Sequence, residues 1–408
     1  MWKKLLIGII VIVIFVSSAY LAYQDREIRF QVGTLIGIKP DPTSSNIDIQ
    51  IEPFLTGLER PTSMIFLGED ILFLEKETGI VRLVNNGIIR SEPVLDLNVS
   101  HRYEGGLLGI AAIDSTVFLY FTESETDGGE PIADRVYKYD WDENYLINPI
   151  LVNSFDVTSI AHHGGAMITQ NDSVLLVRGD QRAGDVADKN WGSLQNDEQL
   201  LIDDTSVIIR VGLDENVITP SESSNPLDHY YAIGIRNSFG MAIDPVTGNL
   251  WMTENGEDEF DEINMIYPKF NSGWSKIMGP ANETQIANLP EFGEFIYSDP
   301  EFSWEITVAP TALIFANPDW PEAFQDTVFV GDCRGNLLNF KLNSDRTGFV
   351  FSSPELKDNI ANVEDSIEEI LIASDFKCIT DFDYGPDGSL YVVSHQDNGA
   401  IYKIKPKE

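Results

Sequence analysis

From Ile49 to Ile404 the chain alternates apolar and polar residues in short runs divided by Gly, Asp, Asn and Pro. Helical periodicity never persists beyond about two turns, so the pattern predicts strands with one buried face rather than helices. The clearest case is central. Gly240-Met241-Ala242-Ile243-Asp244 alternates toward a turn at Pro245-Val246-Thr247-Gly248, and Asn249-Leu250-Trp251-Met252-Thr253-Glu254 alternates again, as a hairpin should. The same phrase returns around Gly385-Pro386-Asp387-Gly388. Hairpins recur at intervals of roughly 40 to 60 residues, a spacing that suits four-stranded propeller blades with variable loops. Six such units can be counted, and residues 49–408 therefore read as an all-β, six-bladed β-propeller of four-stranded blades. Two sandwich domains in series would need a linker, and no break in composition follows Asp48.

The N-terminus follows a different pattern. Leu5 to Tyr23 is apolar throughout, follows Lys3 and Lys4, and meets no charge until Asp25. A run near the ~20 residues that span a bilayer, with no polar face, predicts one hydrophobic helix over residues 1–24 that serves as a membrane anchor or an uncleaved signal. The lysines place the body outside the cell, and the protein is secreted if the small residues Ser17-Ser18-Ala19 are cut. Residues 25–48, with Pro40 and Pro42, read as a polar stalk.

Composition narrows the partners. With 65 acidic against 27 basic residues and a net charge of -38, the surface repels nucleic acid and anionic lipid. Cys333 and Cys378 are the only cysteines. In an exported chain such a pair is a disulfide candidate first, and two thiols are too few for a structural zinc site alone.

Four phrases carry candidate chemistry: Glu104 to Gly109 (EGGLLG), His162 to Met167 (HHGGAM), Gly234-Ile235-Arg236-Asn237, and Thr253 through Glu262. Each stands where a blade's first strand begins or its second ends, and in a propeller those loops gather round one end of the axial channel. A histidine there can take a proton from a hydroxyl or merely cap a strand. Arg236 beside Asn237 can polarise a carbonyl, hold an anion, or pair with a nearby carboxylate. The acidic run Glu257 to Glu262 offers the hard oxygens that calcium takes, or is solvated surface.

The order EGGLLG, HHGGAM, GIRNSFGMAIDPVTGNLW, TENG with DEIN, TVAP and YGPDGSLYVVS resembles the glucose/sorbosone dehydrogenase family, six-bladed propellers that use pyrroloquinoline quinone (PQQ) with calcium. The resemblance covers nearly all of Ile49 to Ile404. It implies that His162 is the general base for a sugar hydroxyl and that Arg236 polarises the quinone carbonyl. Asn237, Asn255 and Thr307 would be further cofactor contacts, and Glu104 and His163 would face substrate. The backbone carbonyls of Gly256 and Glu257 would ligate calcium. Where quinone-binding members carry a lysine in the fifth blade and two arginines in the sixth, this chain aligns Cys333, Cys378 and Thr380, with Arg334 and Lys377 as neighbouring cations. The family fold would bring the two cysteines together at the central mouth. The implied function is an exported quinoprotein-like oxidoreductase that oxidises an aldose or related alcohol. Two alternatives stay open: a non-catalytic extracellular propeller that binds glycans or a surface protein, and a lactonase-like hydrolase with a metal held among Glu104, Asn237 and Asn255.

Overall fold

The computed structural model describes residues 42–44, 48–181, 203–213 and 226–407. Contacts divide the chain into Met1–Thr43 and Ser44–Glu408, and the architecture below is that of the second unit. The expected N-terminal helix over 1–24 and most of the expected stalk lie outside the described residues. Among the described residues no helix is long and apolar enough to cross a membrane.

Six sheets make the propeller. Their inner strands are Pro61–Leu67, Leu107–Ile113, Met167–Gln170, Met241–Ile243, Pro310–Phe315 and Cys378–Tyr384. Each packs on the next, and the last packs on the first, so the strands form a closed ring around an axis. The predicted central hairpin is present: Met241 pairs with Met252 and Ile243 with Leu250. Its turn is closed by the Gly248 N–H donating to the Asp244 carbonyl at 2.8 Å, and Gly248 takes φ 76°, a left-handed conformation in which glycine carries no Cβ penalty.

Apolar residues fill the wedges between blades. Between the fourth and fifth, Trp251, Phe302, Phe340 and Phe349 form one buried cluster, with Phe302 and Phe340 edge to face at 4.9 Å. Nearer the axis the space is tighter. A Cβ on Gly109 would lie 2.2 Å from the Gly165 carbonyl oxygen, so the inner strands of the second and third blades approach as only glycine allows. The glycines of EGGLLG and HHGGAM thus serve blade packing as well as any ligand.

The sixth blade is completed by the beginning of the propeller chain. Its outermost strand is Ile49–Leu58, which runs antiparallel to Gly399–Pro406, pairing Ile49 with Pro406 and Leu58 with Gly399. The local pattern predicts a strand there but carries no sign of its partner. Two half-buried aspartates reinforce the closure. Asp381 accepts from the Ser63 hydroxyl at 2.6 Å and the Met64 N–H at 2.8 Å, and Asp383 accepts from the Phe66 N–H at 2.9 Å. They therefore satisfy donors of the first blade's inner strand, Ser63 and Met64 at the bulge in its pairing with Asp70–Glu75 and Phe66 in the regular stretch opposite Ile71.

Candidate active site

Four of the sequence-predicted residues meet beside the ring axis. The second oxygen of Glu104 accepts from the His162 N–H at 2.6 Å and from the Asn237 amide at 3.3 Å. The Asn237 side-chain oxygen in turn accepts from the Gly164 N–H at 3.2 Å. His162 leaves the second blade's end at φ 57°, a left-handed backbone that costs a non-glycine residue about 1 kcal/mol. Its Nδ1 lies 2.6 Å from Asp180 Oδ1, and Nε2 has no hydrogen-bond partner among the described residues. Asp180, fully buried, accepts the Trp274 indole N–H on its other oxygen at 2.8 Å. This fixes the imidazole so that, when neutral, the lone pair sits on Nε2.

Arg236 joins the same cluster through Trp274. Its guanidinium lies 5.4 Å over the indole ring and donates from Nη1 to the Asn255 carbonyl at 2.8 Å, while its own carbonyl accepts the Asp180 N–H at 2.8 Å. Below it, Glu254 accepts from the Arg236 N–H and from the Ser272 hydroxyl, both at 2.6 Å. Burial, together with the neighbouring Glu262, pushes the Glu254 carboxyl well above the usual range. Burial likewise raises Glu262. Gly256, expected at a calcium site, donates its N–H to Asp261 at 2.7 Å. Asp261 also accepts from Val308 and Ala309, so its carboxylate is occupied in holding the loops together. Glu257 is exposed. Among the described residues no group of three or more His, Cys, Asp or Glu is placed to hold a metal, and the expected calcium ligands are carbonyls instead.

His163 stands apart from this cluster. It is 1% exposed, its Nδ1 lies 3.0 Å from Asp134, and Thr122 donates to the same carboxylate at 2.8 Å. Burial alone would raise Asp134, but His163 and then Arg178 outweigh it and hold it below the ordinary range. The left-handed turn of the backbone at His162 separates the two side chains, and His162 and His163 reach different carboxylates.

A cavity of about 310 Å³ opens on the axis. All six inner strands or their leading residues border it, including Thr62, Leu108, Gly165, Met241, Ala312 and Thr380, and Glu104 brings the His162 cluster to its edge. Cys333 and Cys378 line it as well and are joined in a disulfide. Arg334 is exposed and donates to the Thr307 carbonyl, and Lys377 is half-buried; neither lines the cavity. A second cavity opens at the other end of the ring, and Ser63, Met167, Met241, Leu313 and Asp381 border both.

The sequence profile for glucose/sorbosone dehydrogenases matches residues 58–403. The chain belongs to this family. Within it, the Escherichia coli aldose sugar dehydrogenase YliI is 28% identical over 181 residues, which is 43% of this chain and 44% of that protein. The Acinetobacter calcoaceticus quinoprotein glucose dehydrogenase B is 24% identical over 271 residues, 60% of this chain and 55% of that one. These matches span about half of each named dehydrogenase. A Synechocystis protein, slr1608, is 25% identical over 380 residues, 88% of this chain and 87% of its own length. Among solved structures, the apo-form of the soluble E. coli aldose sugar dehydrogenase superposes with a TM-score of 0.66 at 21% identity, covering 88% of this chain and all of that one. The PQQ-bound aldose sugar dehydrogenase of Streptomyces coelicolor gives 0.64 at 20% identity, covering 90% and 100%. At such identities the structural likeness establishes the fold, a dehydrogenase-family propeller. Nothing local in the sequence marks Asp180 or Trp274: Asp180 lies two residues past the strand Ser173–Arg178, one acidic residue among many.

Proposed function

We propose that this propeller is an exported sugar oxidoreductase of the PQQ type, acting on an aldose or a related alcohol. The observation that carries the proposal is the His162–Asp180 pair, which leaves Nε2 free beside Glu104, Asn237 and Arg236. Export is supported by the apolar run Leu5 to Tyr23 behind Lys3 and Lys4.

The polar groups of the His162 cluster, which meets the cavity at Glu104, and Thr380 on the cavity wall fit a planar quinone acceptor. Among the described residues the Thr380 hydroxyl and the Asn255 side-chain oxygen are buried without hydrogen-bond partners, and Thr380 borders the cavity. Arg236, Asn237, Asn255 and Thr380 would hold the cofactor, with the carbonyls of Gly256 and Glu257 holding calcium. When bound, the quinone supplies a two-electron acceptor. His162 Nε2 receives the proton of the sugar hydroxyl, and Asp180 steadies the imidazolium that results. Glu104, committed to His162 and Asn237, fixes the floor against which the sugar lies. Arg236, held between the Trp274 face and the Asn255 carbonyl, keeps its positive charge near the acceptor side, where negative charge develops.

Titration of the purified protein with quinone and calcium tests this. The expected result is uptake of the cofactor's absorbance and dye reduction by aldoses, with His162→Ala abolishing turnover while uptake persists. No uptake at micromolar quinone would overturn the proposal and leave glycan binding as the reading to pursue.

A further inference from the structure

Lys76 presents an electrostatic imbalance that the proposed chemistry does not use. It follows the first blade's second strand, Asp70–Glu75, is 8% exposed and borders the axial cavity. Among the described residues its ammonium makes one hydrogen bond, from Nζ to the Tyr103 carbonyl at 3.0 Å. No carboxylate lies within ion-pair distance of it among the described residues. The nearby acids are already engaged: Glu77 pairs with Arg60 at 2.9 Å, and Glu104 accepts from His162 and Asn237. Buried lysines are rare unless paired, because losing hydration without a counter-charge is costly. In a chain with 65 acidic residues, a cavity-lining lysine that lacks one is a vacant half of an ion pair. Burial accordingly lowers its pKa to about 8, against the opposing pull of Glu77 and Glu104.

We infer that Lys76 is the seat of a carboxylate carried by the ligand, and that the substrate is an acidic sugar of the uronic-acid class rather than a neutral aldose. The position favours the substrate over the acceptor. Lys76 is bonded to the carbonyl of Tyr103, the residue next to Glu104, and so stands beside the carboxylate that meets the backbone N–H of His162. His395 borders the cavity too, with Nδ1 at 3.1 Å from the Pro61 carbonyl, and its other nitrogen can accept from a sugar hydroxyl. The substrate class rests on the oxidoreductase reading above; the carboxylate seat itself does not.

Calorimetric titration of the full-length protein with glucuronate and with glucose, each with and without quinone and calcium, provides the test. Wild type should bind glucuronate more tightly than glucose. Lys76→Met should cut that advantage about 10- to 100-fold, the scale of one charge-assisted contact, and Lys76→Arg should keep most of it. Methionine retains the apolar stem and removes a buried charge, so the variant should fold, and a thermal melt confirms this. Equal binding of acid and neutral sugar by wild type, with quinone affinity also unmoved in Lys76→Met, would overturn the inference. A loss confined to quinone affinity would assign the seat to the acceptor and overturn the substrate class. If no sugar reduces dye while glucuronate still binds through Lys76, the oxidoreductase reading fails and the carboxylate seat stands.

Discussion

Asp180 grips His162 from behind, with Oδ1 2.6 Å from Nδ1, while its second oxygen holds the Trp274 indole at 2.8 Å. Asparagine has one acceptor oxygen and cannot serve both partners. Asp180→Asn should therefore lower sugar-dependent dye reduction about 100-fold while quinone uptake, read by absorbance, changes little. Loss of uptake in parallel with turnover would mean that the pair shapes the pocket rather than the base.

Arg346 bridges the fourth and fifth blades. It donates from Nε and Nη2 to the two oxygens of fully buried Asp244 at 2.7 Å each, and from Nη1 to Asp326 at 2.6 Å. Burial would raise Asp244, but these bonds more than reverse it and hold the carboxyl below its usual range. Arg346→Met leaves a buried charge uncompensated and should cost about 3 to 5 kcal/mol, measured by denaturant unfolding. A loss below about 1 kcal/mol would show that water replaces the guanidinium.

Stability should fall as pH rises from about 5 to 8. Burial lifts Asp381 to about 7 and Asp383 to about 6, and Glu301 to about 8. Between about pH 4, where unfolded carboxylates ionise, and those values, the folded chain binds protons that the unfolded chain has released. Stability therefore declines across that window and levels off above it. Below about pH 4 the depressed carboxyls Asp134 and Asp244 act with the opposite sign. Scanning calorimetry should find the highest melting temperature near pH 5, and Asp383→Asn should flatten the slope between 5 and 7. A melting temperature that rises from pH 5 to 8 would contradict the assignment.

The disulfide between Cys333 and Cys378 spans 45 residues and ties the fifth blade to the sixth. A loop of that length corresponds to about 4 kcal/mol in the chain-entropy account. Replacing both cysteines with alanine should lower unfolding stability by an amount of that order, measured in urea, with the wild-type protein dropping to the same value under reductant.

The blades were legible because each hairpin alternates locally and its turn is marked by residues such as Gly248 and Gly388, both at positive φ. The convergence of Glu104, His162, Arg236 and Asn237 was legible for the same reason: all four sit at the same end of their blades. Two things were not. Asp180 is one of 65 acidic residues, and nothing in its neighbours says that it faces an imidazole. Ile49–Leu58 looks like any amphipathic strand, and pairing with a segment 341 to 357 residues away leaves no trace in local pattern.

That last pairing sets an order of events during synthesis. Five blades can assemble as the polypeptide emerges, but the circle must stay open until Gly399–Pro406 is made, because only that strand can receive Ile49–Leu58. A nascent chain would thus wait with an unsatisfied edge at each end, and a premature stop that removes the final ten residues would leave every other blade intact yet unable to shut.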